Sequence, residues 1–167
     1  MVSMLRSVFS FPHPVNEVAA RVVAGSVLLL SLVILVTGWY WLLLGLTYGF
    51  LARVLTGPTL SPIGLIATKV IVPIVIKKNK PVAGPPKRFA QFVGLIFSAT
   101  ALYLSMVQGA MGAAAAVLVV LALFAALESV VGFCAGCFVF GYLMRWGLVP
   151  SDVCERCNSF NLDRSSA

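Results

Sequence analysis

Long apolar blocks separated by short polar or proline-rich stretches dominate the sequence. The blocks run for about 17–25 residues without alternating apolar and polar positions, which is the length a helix needs to cross the hydrocarbon core of a bilayer. Only a helix satisfies every backbone group within such a segment. The pattern predicts an all-α integral membrane protein, a bundle of about four transmembrane helices at residues 17–36, 39–55, 88–108 and 110–146.

The first helix has a recognisable start. Asn16 is a good N-cap and Glu17 stands in the first turn, where a carboxylate is favoured. Glu17 and Arg21 are four residues apart and predict an ion pair. Residues 1–16 form a separate N-terminal segment, since the prolines around His13 do not fit a helix. A lone histidine in such a segment is not expected to be a ligand or proton carrier.

Residues 57–87 are predicted to be an interfacial basic loop between the second and third crossings. Six of the nine prolines fall between residues 57 and 86, together with several lysines. The apolar run 63–76 contains Lys69 and Pro73 and, at 14 residues, is too short to cross. Its length suits a segment lying on the membrane.

The last apolar block, residues 110–146, is too long for a single crossing. As one helix it would extend roughly 55 Å, against a hydrocarbon core of about 30 Å. We predict a crossing followed by a helical extension, one long last helix kinked at Gly132. Two short crossings joined near Glu128 are the alternative. Residues 147–167 form a cysteine-containing tail.

Composition and charge support the membrane interpretation. Of the 167 residues, 60% are hydrophobic and 10% charged, and the net charge is +7. The mean hydropathy is +1.03. The basic residues stand between the apolar blocks rather than on one face of a soluble domain, so nucleic acid is not an expected partner. Seven of the twelve lie in or beside one connection, which predicts that this connection and both termini are cytoplasmic: Arg53, Lys69, Lys77, Lys78, Lys80, Lys87 and Arg88.

The four cysteines form two C-x2-C pairs, Cys134 with Cys137 and Cys154 with Cys157, with sixteen residues between the pairs. This spacing is typical of a four-thiolate zinc site. It also suits thiol exchange, because two cysteines three residues apart on a helix share one face. Neither pair follows a strand and opens a helix as thioredoxin-like motifs do. Arg156 favours a thiolate in the second pair, whereas apolar surroundings oppose one in the first.

Two plainer interpretations remain for residues near the first pair. Cys134 and Cys137 are small packing residues if Gly132 and Gly136 form a close-packing Gly-x-x-x-Gly motif. Glu128 is the only acid in the interior of a predicted span, and intramembrane carboxylates are costly. An ideal helix points it away from both cysteines, so pairing with Arg145 or with a loop lysine, or a place at the interface, is the preferred interpretation.

Three stretches of the sequence resemble an uncharacterised family of bacterial multi-pass membrane proteins, a domain of unknown function. They are Ser61-Pro62-Ile63-Gly64-Leu65, Pro86-Lys87-Arg88-Phe89-Ala90-Gln91 with Val93-Gly94-Leu95, and Gly132-Phe133-Cys134-Ala135-Gly136-Cys137. The last gives a G-F-C-x-G-C motif at the end of the final crossing. The resemblance implies the bacterial inner membrane, a thioredoxin-like or sulfurtransferase-like partner, and thiol or sulfur chemistry at Cys134 and Cys137 only. The tail extends beyond the family's usual end.

Three functions remain open on the sequence. The favoured one is a thiol-disulfide or sulfur relay in which Cys134 and Cys137 exchange with Cys154 and Cys157 at the cytoplasmic face. The alternative is a non-enzymatic accessory or assembly subunit of a larger membrane complex, with a structural zinc site built from the same four cysteines. A small-solute channel would require a homo-oligomer, because four short helices leave little room for a pore.

Overall fold

The computed structural model describes residues 15–57, 60–76, 81–82 and 84–146, and helices dominate this part of the chain. The predicted all-α, membrane-type fold is confirmed. Two short strands, β1 (Val15–Asn16) and β2 (Pro81–Val82), pair antiparallel. They connect the start of the first helix with the segment that precedes the fourth helix. The α-helices are α1 (Glu17–Thr37), α2 (Leu42–Thr56), α3 (Pro62–Ile66), α4 (Gly84–Met106), α5 (Met111–Ala126) and α6 (Ala135–Arg145), with π-helical segments at Ala67–Ile76 and Leu127–Val131.

Three helices in the described part of the chain are long and apolar enough to cross a membrane. They are α1, α4, and α5 together with its π-helical continuation, which have 21, 23 and 21 residues. The predicted second crossing is shorter. Helix α2 begins at Leu42 rather than at residue 39 and has 15 residues, because Gly38 takes a positive φ and the following aromatic residues form a turn. Large apolar side chains such as Leu29 and Leu123 are exposed on the outer faces, as contact with lipid requires.

The helices α1, α2, α4 and α5 run alternately up and down, which gives the bundle two different ends. At one end the connections 38–41 and 107–110 are uncharged and adjacent, since Tyr40 Oη donates to the carbonyl of Met111 at 3.4 Å. We call the opposite end the charged end. There Arg21 Nη2 donates to the carbonyl of Val131 at 3.2 Å, and Glu17 pairs with Arg21 at 3.7 Å, as predicted.

Small and apolar residues fill the interior of the bundle. Ile34, Leu43 and Leu118 are fully buried. The ring of Phe50 on α2 lies against Gly94 on α4, and a side chain at that glycine would collide with the ring. The absence of a side chain at this position therefore sets how closely α2 approaches α4, as small residues commonly do between membrane helices.

The last apolar block is interrupted at Gly132, as predicted, but the predicted single kinked helix is wrong, because the interruption separates two helices. After Ala126 the helix widens into the π-helical turn, which ends at Gly132 with φ of 77°. The amide of Phe133 returns to the carbonyl of Leu127 at 3.1 Å. A left-handed residue ends the helix because its amide can reach back to an unpaired carbonyl. Helix α6 then begins at Ala135, so residues 110–146 are two helices.

Candidate dithiol site

Cys134 occupies the N-cap position of α6. The amide of Phe138 donates to its carbonyl at 3.0 Å, which is the first bond of the helix. The amide of Cys137 donates to the Cys134 sulfur at 3.3 Å, in the way that an oxygen side chain caps a helix. The prediction that placed the first pair within one long last helix is therefore wrong, because this pair opens a new helix. Although a turn after Gly132, and not a strand, precedes it, Cys134 stands where a helix dipole favours a thiolate.

The two sulfurs of the motif are in direct contact. Both cysteines are free thiols and half-buried, and the Cys137 thiol donates to the Cys134 sulfur with Sγ and Sγ 2.7 Å apart. A disulfide bond needs about 2.05 Å between the sulfurs. The pair can consequently be oxidised with only a small movement of the side chains.

The electrostatics of the two thiols differ. The hydrogen bond from Cys137 is the main cause that lowers the pKa of the Cys134 thiol, and the positive charge of Lys87 acts in the same direction. The same hydrogen bond, followed by burial, raises the pKa of the Cys137 thiol above its ordinary value. Cys134 is therefore the more acidic thiol of the pair and Cys137 the less acidic one. The apolar surroundings predicted to oppose a thiolate are outweighed at Cys134 by these local contacts.

An ion pair between Lys87 and Glu128 lies beside the dithiol. The Nζ and Oε1 atoms are 2.6 Å apart, and the two side chains are only 9% and 14% exposed. The preferred interpretation of Glu128, pairing with a lysine of the basic connection, is confirmed by this contact. Its predicted orientation away from the cysteines is wrong, because the π-helical turn and Gly132 redirect the chain. Glu128 and Cys134 line the same cavity.

Arg53 extends the polar cluster into the bundle. It is 5% exposed, its Nε donates to Gln91 Oε1 at 2.7 Å, and its Nη1 donates to Ser61 Oγ at 3.2 Å. The guanidinium also lies over the Phe50 ring, 4.7 Å from the ring centre. From the sequence, Lys87 was placed in the basic connection, and Arg53 beside it at the end of the predicted helix 39–55. Both are buried in helices, where a charge needs partners of this kind.

Close packing of α6 against α4 fixes the position of the motif. A Cβ at Gly136 would lie 2.6 Å from the Cα of Ala90, and one turn further the rings of Phe89 and Phe140 are 5.7 Å apart. The packing role expected of Gly136 is therefore real. Gly132 has a different role, because it ends the previous helix and the Arg21 guanidinium fills the space where its side chain would be.

The second half of the predicted four-cysteine site lies outside the described residues, as do His13 and Arg156. Within the described ranges no three side chains of metal-ligating type come together. The four-thiolate zinc site thus stays a prediction.

Sequence reasoning missed Lys87, Gln91 and Arg53 as members of the site. A signal for the first two was present, because Lys87 and Gln91 are four residues apart and share a helix face within the Pro86–Gln91 stretch. Because the helix was predicted to start at residue 88, Lys87 was placed outside it and this spacing was not recognised. The actual start at Gly84 puts Lys87 in the first turn of α4.

Comparison with known proteins gives one match. The family model described as Domain of unknown function (DUF4395) covers residues 15–145, from β1 to the end of α6. Neither the curated proteins nor the solved structures contain a match to the chain.

Proposed function

We propose that this chain, which belongs to the family described as Domain of unknown function (DUF4395), is a membrane thiol-disulfide or sulfur-relay protein that reacts through Cys134 and Cys137. The observation that carries the proposal is the placing of Cys134 as the N-cap of α6, with the Cys137 amide at 3.3 Å and the Cys137 sulfur at 2.7 Å. A low-pKa thiolate with a neighbouring thiol is the arrangement that exchange requires.

The exchange uses the two cysteines in sequence. The Cys134 thiolate attacks one sulfur of a partner disulfide, a mixed disulfide forms, and the other partner sulfur leaves as a thiolate. Cys137, after losing its proton, attacks the Cys134 sulfur, so that the Cys134–Cys137 disulfide forms and the partner leaves as a dithiol. The steps run in reverse when a partner dithiol reduces the Cys134–Cys137 disulfide.

The polar neighbours of the dithiol affect the ionisation of Cys134. Lys87 stabilises the Cys134 thiolate, and Glu128 holds Lys87 in place through the 2.6 Å contact. Glu128 by itself would oppose a thiolate at Cys134. Its negative charge is neutralised by Lys87, so the ion pair adds no net negative charge beside the thiolate. Lys87 and Glu128 are positioning residues, since they act on the reaction through Cys134.

Trapping of a mixed disulfide tests the proposal. The probe is a thioredoxin-like protein with a single remaining cysteine, activated as a mixed disulfide with thionitrobenzoate. It is incubated at neutral pH with the full chain carrying Cys137→Ser in a Cys154→Ser/Cys157→Ser background. We expect a covalent adduct at Cys134, visible on a non-reducing gel, formed about tenfold faster than with the matched chain that keeps only Cys137. Equal rates for both chains, or no adduct with either, would contradict the proposal.

The tail pair enters the proposal as the exchange partner of the motif. Changing Cys154 and Cys157 to serine, while Cys134 and Cys137 remain, should abolish disulfide exchange between the tail and Cys134. Metal analysis decides between this role and the zinc alternative, because stoichiometric zinc held by all four thiolates leaves none free to exchange. In that case the chain is an accessory or assembly subunit of a membrane complex.

The proposed location is the bacterial inner membrane with the charged end in the cytoplasm. Lys69 and Arg88 are exposed near that end, and the connections at the opposite end are uncharged, as the positive-inside rule requires. In this orientation a cytoplasmic thioredoxin-like or sulfurtransferase-like protein reaches the motif. Thiol labelling of intact and opened cells, with and without reductant, tests the sidedness of Cys134.

A further inference from the structure

An apolar cavity of about 320 Å³ lies inside the bundle beside the dithiol. It is lined by residues of α1, α2, α4, α5 and the start of α6 and is partly open to the outside, and Cys134 forms part of its wall. Three aromatic rings also line it: Phe50, Phe97 and Phe124. Ligand pockets in proteins have this character, a largely apolar lining of a few hundred Å³ with a small number of polar groups.

The polar groups in the wall are few and specific. They are the Cys134 thiol, the Glu128 carboxyl group and the Gln91 side chain. The Gln91 Oε1 atom already accepts from Arg53, and the other polar group of this side chain is its amide NH2, a hydrogen-bond donor. The wall therefore offers a hydrogen-bond donor, a carboxyl group and a reducing thiol at one site, with aromatic faces and hydrocarbon around them.

A flat ring with carbonyl oxygens and an apolar tail matches this wall. The carbonyl accepts from the Gln91 amide, the ring lies among aromatic side chains, and the tail lies among aliphatic ones. A lipid acyl chain would fill the apolar volume but would leave the donor, the carboxyl group and the thiol without a function. The position of a redox-active thiol in the wall selects a ligand that takes up electrons.

We propose that the cavity binds a lipid-soluble quinone and that the Cys134–Cys137 dithiol transfers two electrons to it. The proposal rests on the proposed function, since it uses the same dithiol, and it names the terminal electron acceptor. The Cys134 sulfur adds to the quinone ring. Cys137 then attacks that sulfur, so the carbon–sulfur bond breaks, the disulfide forms, and the quinol leaves with the two protons from the thiols. One dithiol and one quinone give one disulfide and one quinol.

The direct test measures the reduction of a decyl-substituted ubiquinone by the purified full chain in detergent, under anaerobic conditions. The chain carries Cys154→Ser/Cys157→Ser, is reduced, and is freed from reductant before the quinone is added. We expect one quinol per chain by ultraviolet absorbance and loss of the Cys134 and Cys137 thiols by mass spectrometry. Changing Cys134 to serine should abolish the reaction.

A matched pair of substitutions tests the cavity itself. Val93 lines the cavity, whereas Val119 is exposed on the outer face of α5 and is not part of the wall. Val93→Trp should reduce the rate of quinone reduction at least about tenfold, since the added ring occupies the ligand's volume, and Val119→Trp should leave the rate within about twofold. Equal effects of the two substitutions would overturn the proposal.

A competition experiment uses the chain with Cys134 and Cys137 intact and no substitution in the cavity. Its result therefore does not depend on whether a cavity variant folds. Decylbenzene, which carries the tail without carbonyl groups, should inhibit weakly compared with a non-reducible quinone analogue. Equal inhibition would identify an acyl-chain site and overturn the proposal. If the dithiol forms a mixed disulfide with the thioredoxin-like probe but does not reduce the quinone, the quinone proposal fails and the proposed function stands. If the thiols react with neither, both fail.

Discussion

Replacing Gly136 with alanine tests whether contact with α4 fixes the position of the dithiol. The new Cβ would lie 2.6 Å from the Cα and Cβ of Ala90, well inside the separation of about 3.5–4.0 Å at which carbon atoms attract. The Ala90 backbone belongs to the second turn of α4 and has no flexible end that could give way. Helix α6 must therefore shift outward, or α4 must distort.

The magnitude follows from a comparison with Gly141 in the same helix, where an added Cβ meets nothing within 4 Å. Glycine to alanine gains about 0.8–1.0 kcal/mol of helix propensity at either position. This gain cancels in the comparison and leaves the cost of overpacking, about 1–3 kcal/mol. Gly136→Ala should consequently be less stable than Gly141→Ala by that amount, roughly tenfold in the unfolding equilibrium per 1.4 kcal/mol.

The assay is unfolding of the detergent-solubilised chain, followed by intrinsic tryptophan fluorescence and repeated with both variants. A parallel measurement of the alkylation rates at Cys134 and Cys137 reports whether the motif itself has moved. We expect faster alkylation in Gly136→Ala and no change in Gly141→Ala. Equal stabilities of the two variants would refute the inferred contact between α6 and α4.

Three further predictions concern the charged end. Lys87→Met should destabilise the chain by about 3–5 kcal/mol, because it leaves the Glu128 carboxylate buried without its partner. A Lys87→Met/Glu128→Leu double variant should recover most of the lost stability. Equal stabilities of the single and double variants would contradict a buried pair. Gly132→Ala should be less stable than Gly38→Ala, since both glycines have φ above 70° but only the first site is already filled by a guanidinium. Because its pKa is lowered, Cys134 should be alkylated as a thiolate at a lower pH than an ordinary thiol, whereas the second cysteine of the motif should react only at higher pH. Superposed pH profiles from peptide mass spectrometry would contradict the assignment.

The sequence alone was sufficient to locate the long apolar helices and some of their ends. The length of an apolar block predicts a helix in lipid because no other local structure satisfies the backbone. Asn16 does cap α1, with its side chain accepting from the amide of Val18 at 3.0 Å. Gly132 does interrupt the last apolar block, because a glycine is the residue that adopts a positive φ at low cost. These features depend on neighbours within a few positions along the chain.

The tertiary structure alone decided what surrounds the cysteines. Lys87 and Glu128 are separated by 41 positions, and no local pattern determines which faces of α4 and α5 meet. The orientation of Glu128 could not be extrapolated from an ideal helix, because a π-helical turn and a left-handed residue rotate the chain before Cys134. Burial of Arg53 and Lys87 likewise depends on how four helices come together, since the same cations would be solvated in a loop. The acidity of Cys134 therefore comes first from the hydrogen bond within its own motif, whereas the charges beside it, Lys87 and Glu128, are brought there only by contacts between distant segments.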